Sequence, residues 1–397
     1  GARRDHHPDS ASGRNLIMRR FPSFAVFVAA LAASAPLGAQ SVGDAAGRLG
    51  PQVISYDIKA PISQKITEYV VPVYVVVPVN ASFNFDVGTA WASATVASPG
   101  LPSSEMSGLT DTQLRANYTF GTDFLVLTAG VNLPTGRSTA LADQQLAATR
   151  IASDFLVFPI MGFGTGAGGT GGLAIAQPLG DWNVGLGVAV RHSVAYNPFQ
   201  DTSGAKLRFQ PGDEYRARIG VDRPYGTGRI SLGFTYSKFG NDQADQSVYN
   251  TGDRYITQAS ISNSIGNANV TVAGWDLFRA SGFLADQTPT GRENIANAGV
   301  AVAFNTSGGV IVEPSVEGRV WTQAQADQTA PAIPASYMGT AGVRLNWDFG
   351  GYAITPFVGY TVGRMGTPLA SQAGGPSNVA DMSGFQATLA IRLGGGN

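Results

Sequence analysis

The sequence predicts an all-β fold, a closed transmembrane barrel of antiparallel up-and-down strands, and three observations predict it. Charged residues make up 13% of the 397 residues, against roughly 25% in a soluble domain. Apolar and polar residues alternate in segments of about ten residues, the length of tilted strands that cross a bilayer. Beyond the N-terminal region, no apolar run approaches the roughly 18–20 residues of a spanning helix. We therefore expect strands whose outer face contacts lipid.

Composition excludes several other classes of protein. The chain carries 26 Lys and Arg residues against 27 Asp and Glu residues, and it contains no Cys. Disordered chains carry more charge and fewer aromatic residues, and a nucleic-acid binder needs a net positive surface. The missing cysteines exclude a disulfide scaffold and a thiolate metal site. We expect no cofactor, no metal and no nucleic-acid partner.

The N-terminal region is typical of an export signal. A basic Met-Arg-Arg start, a short apolar run and a small-residue zone ending at Ala39 predict a cleaved signal peptide over residues 18–39. A buried core helix is the alternative, and it explains neither the basic start nor the small-residue end. Residues 1–17 are interpreted as an unstructured upstream extension. Residues 40–51 are predicted to be a periplasmic or lumenal segment, followed by one barrel over 52–397.

The alternation gives each predicted strand one apolar and one polar face, because successive side chains of a strand point to opposite sides. Val184, Leu186 and Val188, for example, oppose Gly185 and Gly187. A soluble barrel would cover its exterior with charge, and this chain has too little charge for that. We therefore assign the apolar face to lipid and the polar face to a wet lumen. A secreted soluble β-protein is the alternative, since alternation alone does not separate the two.

The predicted lumen face carries isolated polar and charged side chains. The candidates are Asn84, Asp86, Arg115, Asn117, Arg191, Glu214, Arg216, Arg218, Glu313, Glu317, Arg319, Arg344, Asp348 and Arg392. Such residues either set the field that selects solutes or pair across strands and hold the interior together. We expect the arginines to face Glu313 and Glu317 across the lumen, which would create a transverse field.

Connection lengths predict the topology. Short turns near 79–81, 121–123, 179–181, 224–228, 264–267, 306–309 and 350–351 alternate with long connections near 97–108, 134–153, 197–212, 240–252, 281–292, 323–335 and 365–381. An outer-membrane barrel has short periplasmic turns and long outer loops. With a first strand over 53–59 the count is 16; without it, or with one hairpin as a rim extension, the count is 14. The piece 141–151 is mildly helical, so its connection either folds inward as a constriction or caps the rim.

Aromatic residues fall near both ends of the predicted strands, which predicts two belts at the lipid interfaces. Near the short turns lie Phe120, Trp182, Trp347, Phe349 and Tyr352, and toward the long connections lie Trp91, Tyr236, Tyr337 and Tyr360.

Several motifs are similar to those of one known family. Ser107-Gly108-Leu109-Thr110-Asp111-Thr112, then Leu133-Pro134-Thr135-Gly136, and later Phe163-Gly164-Thr165-Gly166 and Gly180-Asp181-Trp182 resemble a signature of an outer-membrane barrel family. That family is associated with aromatic meta-cleavage (phenol degradation) pathways and is related to long-chain fatty-acid transporter barrels. The likeness covers about residues 48–200 by motif and the rest by architecture. It implies passive uptake of small, rather hydrophobic molecules, aromatic ones among them.

The sequence thus predicts a channel without enzymatic activity that is located in the outer membrane after export. A structural or adhesive barrel with a closed lumen and a general porin are the alternatives. His192 is followed directly by Ser193, and neighbours in a strand point to opposite faces, so this pair does not form a catalytic contact. The expected partners are outer-membrane lipid, a small solute and the barrel-assembly machinery during biogenesis. The sequence leaves the oligomeric state open.

Overall fold

The computed structural model describes residues 46–121, 124–325, 333–366 and 379–394, which belong to one compact unit. The predicted signal peptide and the extension before it lie outside the described residues. In chain order the elements are β1 (Ala46–Leu49), β2 (Gln52–Ile58), β3 (Gln64–Asn80), β4 (Phe83–Ala97), β5 (Ser104–Leu109), β6 (Thr112–Phe120), β7 (Leu125–Leu133), β8 (Ala140–Leu141), α1 (Gln145–Ile151), β9 (Gly168–Leu179), β10 (Trp182–Ser193), β11 (Tyr196–Gln200), β12 (Lys206–Gln210), β13 (Glu214–Tyr225), β14 (Gly228–Phe239), β15 (Asp242–Ala244), β16 (Ser247–Tyr249), β17 (Arg254–Ile265), β18 (Ala268–Arg279), β19 (Glu293–Asn305), β20 (Val310–Gln323), β21 (Ser336–Asp348), β22 (Tyr352–Gly366) and β23 (Val379–Leu393).

The main sheet is a closed barrel of 16 antiparallel strands. β1 and β2 together form one strand position, interrupted at Gly50 and Pro51, and β5 and β6 form another, because both pieces pair with β4. The barrel closes where β23 pairs with β1, with Gly47 opposite Leu393, and with β2, with Ile54 opposite Gln386. Closure leaves no unpaired sheet edge, as a barrel in hydrocarbon requires. The predicted class and the count of 16 are confirmed, and the alternative of 14 is wrong.

The wall begins earlier in the chain than the sequence predicts. Residues 46–49, assigned to a segment before the barrel, are strand β1 and pair with β3 and β23. The strand alternation already operates here, since Arg48 lies opposite Tyr74 on the inner side while Leu49 is exposed on the outer side. Gly50 and Pro51 interrupt the strand pattern in the sequence, because Pro lacks the N–H that a strand ladder uses. The sequence therefore does not reveal β1 as part of the wall.

The two ends of the barrel differ in their connections. At one end, here called the short-turn end, seven tight connections join the strands, such as the turn at Gly180, whose φ of 61° suits a residue without Cβ. At the other, the long-loop end, the connections are longer, apart from residues 59–63 between β2 and β3. Both the first and the last described strand meet the short-turn end. The predicted alternation of short and long connections is confirmed, except that the connection predicted near 97–108 is shorter than expected, because residues 104–109 form β5 and pair with β4.

The outer face is a continuous apolar surface. Val188, Val316 and Val358 lie near the middle of their strands and are 58%, 63% and 61% exposed. The aromatic residues predicted for the belts lie outside the lumen, on the outer face or its turns. Those at least 41% exposed are Trp91, Phe120, Tyr337, Phe349, Tyr352 and Tyr360. The predicted outward orientation of these apolar and aromatic side chains is therefore confirmed. Among the described residues, no helix is long and apolar enough to cross a membrane.

The hydrophobic core lies inside the barrel. The connection from β7 to β9, residues 134–167, is here called the inner segment, and it contains β8 and α1. Its buried apolar side chains are Ala140, Ala147, Ile151, Phe155, Leu156, Phe158 and Phe163. They pack against inward-facing residues of the wall: Ile58, Ile66, Val70, Ala92, Ala94, Met106, Met338 and Met382. The helical piece predicted at 141–151 is α1, and it folds inward rather than capping the rim.

A second, smaller sheet stands at the long-loop end. β16, β15, β12, β11 and β8 pair in that order, and this set is here called the rim sheet. Tyr196, Phe209 and Tyr249 form its aromatic cluster, with ring centroids 5.6 and 5.9 Å apart. Because β8 belongs to the inner segment, the rim sheet ties the inner segment to the loops that follow β10 and β14.

Candidate functional site: a constricted lumen

The inner segment is fixed to the side of the wall formed by β2 and β3. The Tyr56 hydroxyl donates to the main-chain oxygen of Leu156 at 3.1 Å. The main-chain N–H of Ile160 donates to Oε2 of Glu68 at 3.3 Å, and the Glu68 side chain is almost wholly buried. Both wall residues point into the barrel, so these contacts place residues 156–160 inside it.

The same segment also reaches the wall formed by β18 and β20. Arg319 donates to the main-chain oxygen of Phe155 at 2.8 Å, and Arg279 pairs with Asp154 at 2.5 Å. The Phe155 ring stacks on Trp321 with centroids 6.0 Å apart. Since β3 and β20 lie on different sides of the barrel, the inner segment crosses the lumen toward its long-loop end and narrows it there.

The Asp111 carboxylate holds both ends of the inner segment. Its Oδ1 accepts the N–H of Gly136 at 3.0 Å, and its Oδ2 accepts the N–H of Thr165 at 2.7 Å and the Asn132 side-chain amide at 2.9 Å. A Cβ on Gly136 would come within 2.5 Å of the Asp111 nitrogen, so only glycine fits. Asp111 and these glycine-bearing turns are the motifs quoted for the family resemblance, and the structure brings them to one point.

One sector of the wall is lined by small residues. The inner faces of β9, β10 and β13 carry small residues, among them Ala174, Gly185, Gly187, Ala189 and Gly220. Ala174 is exposed and the other four are half-buried, although all point into the barrel. Side chains this small extend little into the lumen, so this sector of the inner wall carries little side-chain bulk.

Arginines lie on the inner wall beside that sector. Arg216, Ser237, Arg254 and Arg279 stand opposite one another in a single row across β13, β14, β17 and β18, and Glu293 continues the row on β19. Arg191 and Arg218 lie one step away on β10 and β13. The arginine group is defined as Arg191, Arg216, Arg218, Arg254 and Arg279. Its carboxylate neighbours are Glu214, which contacts Arg216 at 2.5 Å, together with Asp154 and Glu293, which contact Arg279 at 2.5 and 2.9 Å.

Below the constriction, the inner wall carries one ion pair between the adjacent strands β20 and β21 and another between β21 and β23, which flank β22. Arg344 contacts Glu313 at 2.5 Å, and Arg392 contacts Asp348 at 3.4 Å. The side chains of Arg344, Arg392 and Asp348 are 49%, 51% and 57% exposed, although they point into the barrel. This part of the lumen is therefore accessible to water.

The remaining predicted lumen residues also lie on the inner face. Arg115 pairs with Asp86 at 2.6 Å, and Asn117 donates to Asn84 and Asp86. On the opposite side, Arg319 lies 3.8 Å from Glu317. Arg191, Glu214, Arg216 and Arg218 belong to the sector of β10 and β13 described above.

The expected field between opposite walls does not arise from these charges. Arg344 and Glu313 face each other on the adjacent strands β20 and β21, and Arg115 and Asp86 do so on β4 and β6. Neighbouring strands lie about 5 Å apart, so each arginine is neutralised locally by its own partner. These residues therefore form ion pairs between adjacent strands. The excess of positive charge lies nearer the long-loop end, at the arginine group.

Several residues of the site are absent from the sequence-based candidates: Glu68, Asp111, Asp154, Arg254, Arg279 and Glu293. Arg254 shares the inner face of β17 with Ile256, and Arg279 shares that of β18 with Leu277 and Trp275, so apolar neighbours interrupt the polar pattern beside both arginines. Asp111 lies in a break between two strands and Asp154 lies in a loop, where alternation gives no information. The quoted motif containing Asp111 was the one available signal.

His192 lies at the rim and contacts Asp213 at 2.7 Å with its Nδ1. Its side chain is exposed, whereas the following Ser193 is buried. The described residues contain no group of three His, Asp or Glu side chains placed to hold a metal ion.

Known structures of similar architecture are outer-membrane barrels. OmpT, an outer membrane protein of Vibrio cholerae, has a TM-score of 0.42 and 9% identity over 90% of this chain and 99% of its own. OccK11 of Pseudomonas aeruginosa has a TM-score of 0.44 and 8% identity over 88% and 95%. The anion-selective porin from Comamonas acidovorans has a TM-score of 0.40 and 12% identity over 88% and 98%. Neither a protein-family model nor a curated protein sequence matches the chain.

Proposed function

We propose that the protein is an outer-membrane channel through which small solutes diffuse passively. The observation that carries this function is the inner wall: the ion pairs of Arg344 and Arg392 are about half exposed inside a barrel whose outside is apolar. A barrel closed by its own side chains would bury these groups. Water inside and an apolar surface outside are the arrangement of a pore through a membrane.

The constriction supports a channel that selects among small solutes. The inner segment fills one side of the lumen with Phe155, Leu156 and Phe158, while the sector of β9, β10 and β13 stays lined by small residues. A solute must pass between these surfaces. Passive passage needs no catalytic group, so the proposal is a transport function without enzymatic activity.

The proposed solutes are small and rather hydrophobic, with aromatic compounds as the first class to test. This part of the proposal rests on the family resemblance of the motifs around Asp111 and on the lack of side-chain bulk along the passage. Gly187 and Ala189 offer apolar contact without filling the bore.

Reconstitution tests the channel directly. Purified, refolded protein in planar bilayers should give stepwise ionic conductance, and liposomes carrying it should admit neutral phenol faster than a neutral sugar. Equal rates for phenol and sugar would make the protein a general porin. An absence of both conductance and permeation, in protein that shows the heat-modifiable gel migration of a folded barrel, would favour a structural or adhesive barrel instead.

A further inference from the structure

We propose that the arginine group is a binding site for small organic anions that carry a carboxylate. The inference deepens the proposed channel and rests on it for the route by which a solute arrives. It is carried by three observations: an imbalance of charge, one arginine with no carboxylate partner, and an aromatic ring beneath that arginine.

Positive charge is in excess at the constriction. Four members of the arginine group, Arg191, Arg216, Arg254 and Arg279, face three carboxylates, those of Asp154, Glu214 and Glu293. Elsewhere on the inner wall, at Arg115, Arg344 and Arg392, each arginine has its own carboxylate within 4 Å. An excess of one sign on a lumen wall attracts and concentrates solutes of the opposite sign.

Arg254 is the member of the group left to bind a ligand. Among the described residues, no carboxylate lies within 4 Å of its guanidinium, and its Nε has no hydrogen-bond partner. Asp154, Glu214, Arg216 and Arg279 are near enough to act on it electrostatically. The two acids, Asp154 and Glu214, already pair with Arg279 and Arg216, so neither of them pairs with Arg254.

The chemistry of the site selects a planar oxyanion. A guanidinium presents N–H donors in a fork that matches the two oxygens of a carboxylate, and a charge-assisted pair of this kind is stronger than a neutral hydrogen bond. Arg254 lies over the ring of Phe239 at 5.4 Å, which fixes the plane of the fork. Phe239 also offers an apolar contact to the carbon skeleton of the anion.

The site adjoins the sector of small residues. Arg216 lies opposite Ala189, and Arg218 lies opposite Gly187, so small residues flank the arginines on the side of β10. A small anion moving along the sector of β9, β10 and β13 passes these guanidinium groups. Benzoate combines the carboxylate with the aromatic body that the proposed function favours, and it is the probe of choice.

Two measurements test the site on the folded full-length protein. The first is isothermal titration in detergent with benzoate, and with benzyl alcohol as a neutral analogue of similar shape. The second is the zero-current potential of the channel in asymmetric KCl. The variant is Arg254→Gln. The matched control is Arg223→Gln, on the strand β13 but on its outer side, where Arg223 pairs with Asp181.

We expect saturable binding of benzoate and none of benzyl alcohol, together with a zero-current potential of the sign for anion preference. Arg254→Gln should weaken benzoate binding and move the potential toward zero, while Arg223→Gln should match the original protein. Absence of benzoate binding, equal binding of both probes, or equal loss in the two variants would overturn the site. Benzoate binding without any conductance would instead support the site and overturn the proposed channel, so the two failures are distinguishable.

Discussion

The carboxylate of Asp111 accepts the main-chain N–H of Thr165 at 2.7 Å, and this contact joins a break in the barrel wall to the far end of the inner segment. The other carboxylate oxygen of Asp111 accepts from Gly136 at the near end. One side chain thus fixes where the constriction starts and where it ends. Asp111 thus anchors both ends of the inner segment, while Tyr56, Glu68, Arg279 and Arg319 hold its middle.

Replacing Asp111 by Asn should release the inner segment without unfolding the barrel. The amide nitrogen of Asn would face an N–H donor, and each hydrogen bond lost to a charged group costs about 1.5–3 kcal/mol. We expect higher and noisier single-channel conductance and faster trypsin cleavage after Arg137 or Arg150. Asp348→Asn, at an exposed pair near the short-turn end, is the control. Unchanged conductance in Asp111→Asn would show that other contacts position the segment.

Truncating Phe155 should loosen the constriction from its apolar side. Phe155 is 2% exposed and stacks on Trp321, and a buried Phe→Ala change costs about 3–5 kcal/mol. The barrel strands do not depend on this contact, so we expect lower thermal stability together with larger conductance steps. Exposed Leu101→Ala should leave both quantities unchanged. Lower stability with the original conductance would mean that Phe155 does not border the passage.

An arginine on the outer face should be costly, whereas one on the inner face should be tolerated. Val188 points outward near the middle of β10, and an arginine at the bilayer midplane costs about 2–4 kcal/mol. We expect Val188→Arg to lower the free energy of unfolding in lipid vesicles by that amount, measured by urea titration. Ala189→Arg, one residue on and facing the lumen, is the matched comparison. A similar loss in both variants would contradict the assignment of faces.

The rim sheet should become less stable as the pH rises. Burial raises the pKa of Asp242, whose Oδ1 accepts the N–H of Gly212 at 2.8 Å. A carboxyl with a raised pKa binds its proton more tightly in the folded state, so its contribution is complete below the unfolded pKa and is lost as pH rises through the folded pKa. Burial raises the pKa of the neighbouring Tyr249 to about 12, so this tyrosine does not titrate in the same window.

Hydrogen exchange of the rim-sheet amides, corrected for intrinsic rates, measures this effect. Protection at Phe209 and Gln210, which lie opposite β15, should fall as the pH rises above the range in which an ordinary aspartate titrates. Asp242→Asn keeps an acceptor for Gly212 and should remove the pH dependence. A pH dependence that persists in this variant would assign it to another group.

Much of the barrel was predictable because one physical rule, alternation across a strand, applies along nearly every wall segment. That rule alone assigns Val188 to the outer face and Arg191 to the inner face. The rule says nothing about loops, so it could not place Phe155 or Asp154 inside the lumen. It is also misleading where the lumen is dry: Ile54, Tyr56 and Ile58 form an apolar face that turns inward, because the inner segment covers it.

The seam of the barrel, where Gly47 meets Leu393 and Ile54 meets Gln386, has a consequence for how the molecule can form. The partners at this seam are almost as far apart along the chain as two described residues can be, so no wall is complete until β23 has been made. Before that moment the sheet has two open edges, and hydrocarbon cannot satisfy their N–H and C=O groups. Membrane entry and ring completion must therefore be coupled in time, or the edges must be sheltered until they meet.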